Sequence, residues 1–166
     1  TTWQGWGDES AWARGQGWAV YGYTMMYRYT GDQKYLDHAI RVAEFISSHP
    51  NLPDDGIPYW DFDASNIPDA LRDASAGAVI CSALLELSGY VDEPLAQKYR
   101  KLAETQIKTL SSPDYLAEPG TNKNFVLKHS VGCLSENECV DEPLIYADYY
   151  FIEALVRYKI KAGSLE

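Results

Sequence analysis

The 166-residue sequence predicts an all-α chain arranged as part of an α/α toroid. Three observations predict it. Runs that are apolar on nearly every side alternate with runs that are apolar on one side only, as inner helices shielded by outer ones require. Long loops rich in proline and turn formers follow each helical pair. Arg41-Val42-Ala43-Glu44 is matched in kind by Lys101-Leu102-Ala103-Glu104 about sixty residues on, a period within the range of helical-pair arrays.

Residues 1–7 hold two glycines and two tryptophans and read as a loop, with Asp8 or Ser10 expected to cap the helix that follows. From about Ala11 to Tyr29 the chain is apolar almost all round, with Trp18, Tyr21, Met25 and Arg14, Trp18, Gly22 recurring at helical spacing, which marks an inner helix. Tyr29-Thr30-Gly31-Asp32 ends it and caps an outer helix, Gln33 to Ser48. In that helix Tyr35, Leu36, Ala39, Val42, Ala43 and Ile46 follow the i, i+3, i+4, i+7 pattern, and Lys34, Asp37, Arg41 and Glu44 lie opposite.

Pro50 to Pro68 contains four prolines and reads as a long ordered loop. Asp73 then opens a second inner helix through Val79, Ile80, Ala83, Leu84 and Leu87, where its carboxylate serves as N-cap or points into a cavity. A turn at Gly89 to Pro94 leads to a second outer helix, Leu95 to Leu110. A third long loop follows Ser112, and its Phe125-Val126-Leu127 run is expected to form a short strand. Pro143 opens a last inner helix through Tyr146, Tyr149, Tyr150, Phe151, Leu155 and Val156. Five helices do not close a ring, so residues 1–166 read as one partial toroid domain, with Leu165 and Glu166 taken as vector-derived. Its open flanks should expose apolar surface and favour self-association.

Composition narrows the classes of function. A chain of this length buries roughly 70% of its unfolded surface, enough for one core. The formal net charge of -10, with no Lys/Arg cluster longer than a pair, excludes a nucleic-acid surface. No apolar run approaches the ~20 residues of a membrane helix. Cys81 falls in an apolar helical run and reads as core. Cys133 and Cys139 read either as a loop-closing disulfide, which would favour a bacterial periplasm over a cytoplasm, or as free thiols. With His129 they form H-x3-C-x5-C, a poor match to zinc sites, which use tighter pairs and a fourth ligand. No metal and no cofactor are expected.

The chemistry is concentrated in Trp3 to Tyr23, which carries four of the five tryptophans, several glycines, Arg14 and Gln16. A guanidinium forks onto a carboxylate or sugar hydroxyls, and indoles offer flat apolar faces to pyranose rings, so the run reads as a site for a sugar or acid sugar. Arg14 and Trp18 lie at i, i+4 and share a helix face.

Three motifs in order, W-A-R-G-Q-G-W at Trp12 to Trp18, D-A-S-A at Asp73 to Ala76 and D-E-P-L-I-Y-A-D-Y-Y-F-I-E-A-L at Asp141 to Leu155, resemble the unsaturated glucuronyl hydrolases of glycoside hydrolase family 88. The resemblance implies the C-terminal part of an (α/α)6 barrel. It implies an enzyme that acts after a polysaccharide lyase and releases 4,5-unsaturated glucuronic acid from the non-reducing end of oligosaccharides. In that family an aspartic acid protonates the C4=C5 enol ether, water adds at C5, and the hemiketal rearranges and breaks the glycosidic link.

Carried over by position, Gln4, Trp12, Arg14 and Trp18 are expected to bind substrate and Asp73 to line the cavity. The acid/base aspartate is expected upstream of Thr1, so no catalytic residue is assigned and the chain alone should be inactive. Trp3 precedes Gln4 where histidine is expected to be common. The related unsaturated rhamnogalacturonyl hydrolases of family 105 carry a similar W-x-R-G run and form the alternative enzyme reading. A non-catalytic helical-array module for carbohydrate or protein is the alternative of another class.

Overall fold

A computed structural model describes residues 3–161 and 163; the inferences for Leu165 and Glu166 lie outside the described residues. Five helices appear in the expected order: α1 (Ala13–Thr30), α2 (Gln33–Ser48), α3 (Ala74–Leu87), α4 (Glu93–Leu110) and α5 (Ile145–Lys161). The chain is mostly helical but not wholly so, because a small two-stranded sheet, β1 (Ser130–Cys133) and β2 (Glu138–Glu142), precedes α5.

The inner layer is α1, α3 and α5. Every residue of α3 except Glu86 is buried, which is what a sequence of Ala, Val, Ile and Leu with no wide polar face demands. It packs between α1 and α5 and is covered by α4, while α2 covers α1. Gly17 permits the α1–α3 approach, since a Cβ there would sit 3.2 Å from both Val79 and Ile80. The outer helices are joined by Lys98 of α4, 2.9 Å from Glu44 of α2.

Contacts pair start with start, Arg14 with Asp73, and end with end, Arg28 and Arg157 with Glu86. The three inner helices therefore run parallel, with their N-termini at one end. At the other end Glu86 accepts ion pairs from both arginines. Between the two ends, Glu153 accepts the Tyr21 hydroxyl at 3.0 Å and the Ser82 hydroxyl at 2.5 Å.

Several caps follow the sequence. Asp32, Asp73 and Asp92 each accept an N–H of the helix they precede, and Gly31 closes α1 at φ 68° with its N–H on the Tyr27 carbonyl. The start of α1 does not. The expected cap at Asp8 or Ser10 gives way to Trp12, which makes no side-chain cap bond. The 50–72 loop takes over the task, because the Trp60 carbonyl accepts the Ala13 N–H at 3.1 Å and Ser10 is engaged elsewhere.

The strand expected at Phe125 to Leu127 is also corrected. Leu127 forms only an isolated bridge with Leu116, and the N–H groups of Val126 and Leu127 donate to the two oxygens of buried Asp148 at 2.8 and 2.9 Å. A carboxylate thus satisfies donors that a ladder would otherwise need. Asp148 thus holds this loop, whereas Glu153 holds Tyr21 and Arg157.

The real hairpin pairs Val131 with Val140 and Cys133 with Glu138. That register sets Cys139 against Gly132 and sends the Cys133 thiol toward the Trp3 carbonyl and the Ser135 hydroxyl. Both cysteines are free thiols, as is buried Cys81, and among the described residues no cluster suited to a metal occurs. His129 is exposed and pairs with Asp141 at 2.6 Å. No helix of the described residues is long and apolar enough to cross a membrane.

Candidate substrate-binding site

The site lies where the N-termini of α1, α3 and α5 meet the β1–β2 hairpin. Helix N-termini carry the positive end of the helix dipole, so this end of the layer favours an anion. Arg14, in the first turn of α1, is buried at 2% exposure. Its Nη1 donates to Asp73 Oδ2 at 3.1 Å, to Ser75 Oγ at 3.0 Å and, closely, to the Val131 carbonyl. Its Nη2 donates to the Gly132 carbonyl at 2.5 Å.

Asp73 is completely enclosed. Its other oxygen accepts the Ser75 N–H at 2.9 Å, the Ser75 hydroxyl at 2.6 Å and the Val131 N–H at 3.3 Å. The expectation that it lines a cavity is corrected: it is the N-cap of α3 and the counter-ion of Arg14, with both oxygens occupied by the protein. Burial pushes its carboxyl up from the ordinary range, and Arg14 with the Ser75 and Val131 donors pulls it back.

Two aromatic rings cover this ion pair. Trp12 lies over the guanidinium at 4.9 Å and Tyr146 of α5 at 5.3 Å. Tyr146 continues to Trp18 at 6.1 Å, and Trp18 meets Tyr150 edge to face at 5.1 Å. Gly15 is required here, because a Cβ would fall 2.7 Å from the Trp12 ring. Trp12 and Trp18 are half-buried, and Trp18 opens onto a groove shared with Gly22, Tyr23 and Met26. Burial raises the Tyr146 phenol above its usual range against the opposing pull of Arg14.

Gln4 joins from the other side, with its Nε2 donating to the Gly132 carbonyl at 3.2 Å. Gln4 and Arg14 thus converge on one oxygen. All four residues expected to bind substrate fall in one locality, but with different freedom. Gln4, Trp12 and Trp18 retain open surface, whereas Arg14 is largely spent on the fold. Three of its hydrogen bonds leave from Nη1 and one from Nη2.

Tyr146, Ser75 and the Val131 and Gly132 carbonyls join the site without having been expected there. Tyr146 had a signal, since it occupies the first turn of the third inner helix as Arg14 does in the first. Backbone carbonyls have none.

No protein-family profile matches the chain. An unsaturated glucuronyl hydrolase from Formosa agariphila is 49% identical over 156 residues, covering 94% of this chain and 38% of the relative. The crystal structure of an unsaturated glucuronyl hydrolase specific for heparin superposes with a TM-score of 0.93 at 56% identity, over 96% of this chain and 43% of that one.

Nearly the whole chain matches part of the unsaturated glucuronyl hydrolases. Its inner and outer helices are those of the family's (α/α)6 barrel. A variant unsaturated glucuronyl hydrolase from Streptococcus agalactiae, complexed with dGlcA-GalNAc6S, superposes with a TM-score of 0.85 at 31% identity, over 95% of this chain and 42% of that one. The chain spans about two fifths of the length of these unsaturated glucuronyl hydrolases.

Proposed function

We propose that the protein is a glycoside hydrolase that removes 4,5-unsaturated glucuronic acid from the non-reducing end of lyase-generated oligosaccharides, and that these residues form the substrate-holding side of its site. The observation that carries this reading is the meeting of Gln4, Trp12, Arg14 and Trp18 at the N-termini of three parallel inner helices. The bound unsaturated disaccharide of the Streptococcus agalactiae relative supports the substrate class.

In this reading the Trp12 and Trp18 faces flank the acid sugar and the Gln4 amide bonds a hydroxyl or the carboxylate. Arg14 supplies charge from beneath through its remaining N–H groups. The C4=C5 bond takes a proton at C4 and the oxygen of water at C5. The hemiketal then opens and expels the rest of the oligosaccharide. The proton donor comes from outside these residues, since Asp73, the carboxylate in contact with Arg14, is fully engaged.

The test is a parallel assay of unsaturated glucuronyl and unsaturated rhamnogalacturonan disaccharides with the protein its gene encodes, following loss of the double-bond absorbance. Consumption of the first supports the reading. Consumption of the second alone moves the assignment to the rhamnogalacturonyl enzymes, and consumption of neither overturns it.

The chain by itself is expected to bind such a sugar weakly, not to turn it over, and to self-associate through α5. There Ile145, Tyr149, Ile152, Val156 and Ile160 form an exposed apolar stripe at helical spacing.

A further inference from the structure

The segment Trp3 to Ser10, which carries Gln4, forms neither helix nor strand. Its tryptophans turn outward, Trp3 71% and Trp6 56% exposed. A segment that buries so little apolar surface is held in place mainly by hydrogen bonds. At the hairpin end these are the Ser135 hydroxyl on the Trp3 carbonyl at 2.6 Å and the Gln4 amide on Gly132.

At the other end the anchor is Asp61. It is fully buried, and among the described residues no cation lies within ion-pair distance of it. Its Oδ2 accepts the Trp6 N–H and the Ser10 hydroxyl, both at 2.8 Å, and its Oδ1 accepts the Asp63 N–H at 2.9 Å. Ser10 in turn accepts the Gly7 N–H at 2.9 Å, which closes the turn from Gly7 to Ser10 onto the same carboxylate. Asp63 continues the anchorage by accepting the Ala11 N–H at 2.9 Å.

A buried carboxylate supported by N–H and O–H donors alone is costly, and both donors to Oδ2 belong to the segment that carries Gln4. An apolar residue or an amide would serve a merely packed loop. An asparagine would turn its own N–H2 toward either the Asp63 N–H or the Trp6 N–H.

We infer that Asp61 is a positioning residue for substrate binding: it latches the Trp3–Ser10 segment so that the Gln4 amide stands beside Arg14 on the Gly132 carbonyl. The inference rests on the proposed hydrolase reading for its substrate. Asp61 touches no substrate and acts through Gln4.

The experiment compares Asp61→Asn, Ser10→Ala, Gln4→Ala and the Asp61→Asn/Gln4→Ala pair in the protein its gene encodes. Two readouts are taken: steady-state kinetics on an unsaturated glucuronyl disaccharide, and hydrogen exchange of the Trp6 and Ile80 amides. Asp61→Asn is expected to raise KM about tenfold with kcat within about threefold, the pattern of lost uniform binding. The pair should be no more than about twofold worse than Gln4→Ala alone, because both changes remove one interaction. Exchange at Trp6 should quicken about tenfold while Ile80, in the core of α3, stays protected.

Additive effects on KM, or native exchange at Trp6 in Asp61→Asn, overturn the inference. Should Asp61→Asn fail to fold, Ser10→Ala carries both readouts in the same direction at smaller size. If the native protein leaves the disaccharide untouched, the hydrolase reading fails, and the latch is then upheld or rejected on the Trp6 exchange.

Discussion

Replacing Arg14 by methionine tests how the site is built. The substitution keeps most of the stem and removes four hydrogen bonds from two nitrogens: one to Asp73, one to Ser75 and two to the Val131 and Gly132 carbonyls. Bonds to charged groups contribute roughly 1.5–3 kcal/mol each, but the native guanidinium also loses its hydration, so the sum is not the cost. What remains is Asp73, fully buried without its counter-ion, and breaking a buried pair from one side typically costs about 3–5 kcal/mol.

At about 2–4 °C per kcal/mol for a chain of this size, the melting midpoint should fall by roughly 6–20 °C. Asp73→Asn in the same background removes the stranded charge and should recover about 1–3 kcal/mol relative to additivity. Thermal or urea unfolding followed by circular dichroism gives both numbers. A loss below about 1 kcal/mol for Arg14→Met, or strictly additive single and double variants, would refute the view that Arg14 is first a structural cation.

Tyr21 gives a pH prediction. Burial, and then the Glu153 carboxylate, push its phenol up to about 12 from an ordinary 10.0. The folded state therefore holds the proton more tightly than the unfolded state, so this contribution is intact below pH 10.0 and is lost as pH rises through about 12. Tyr21→Phe should flatten that alkaline fall, and an unchanged profile would reject the assignment. Asp148→Asn should weaken two charge-assisted bonds of roughly 1.5–3 kcal/mol each and open the loop at Val126 and Leu127 to proteolysis. Equal cleavage rates in native and variant chains would count against it. Ile152→Lys, at the middle of the α5 stripe, should convert a self-associated chain to monomer in sedimentation; a native chain that is already monomeric contradicts the proposed association.

The parts of the fold legible in the sequence are those set by local chemistry. The apolar-all-round pattern of Ala74 to Leu87 identified the central inner helix, and Asp32 and Asp73 were readable as caps because capping acts over two or three residues.

Long-range partnerships were not legible. Arg14 was readable as a substrate ligand, a lone arginine among tryptophans, but not as a structural cation. The acceptors that occupy it lie 59 to 118 residues away, and two of them are carbonyls that any residue could supply. The β hairpin escaped because Glu138 to Glu142 is polar and exposed along most of its length, while the more strand-like Phe125 to Leu127 gives its N–H groups to Asp148. Asp61 was hidden among the turn formers of the 50–68 loop, and only its burial distinguishes it.

The central claim is that the Gln4–Trp12–Arg14–Trp18 cluster holds the acid sugar. The most direct measurement is a tryptophan-fluorescence titration of the protein its gene encodes with an unsaturated glucuronyl disaccharide, in native form and as Trp18→Phe. A saturable change is expected in the native protein, smaller in Trp18→Phe and shifted to about fivefold higher sugar concentration, since a phenyl ring in place of the larger indole face removes on the order of 1 kcal/mol. Superimposable curves for the two proteins would contradict it.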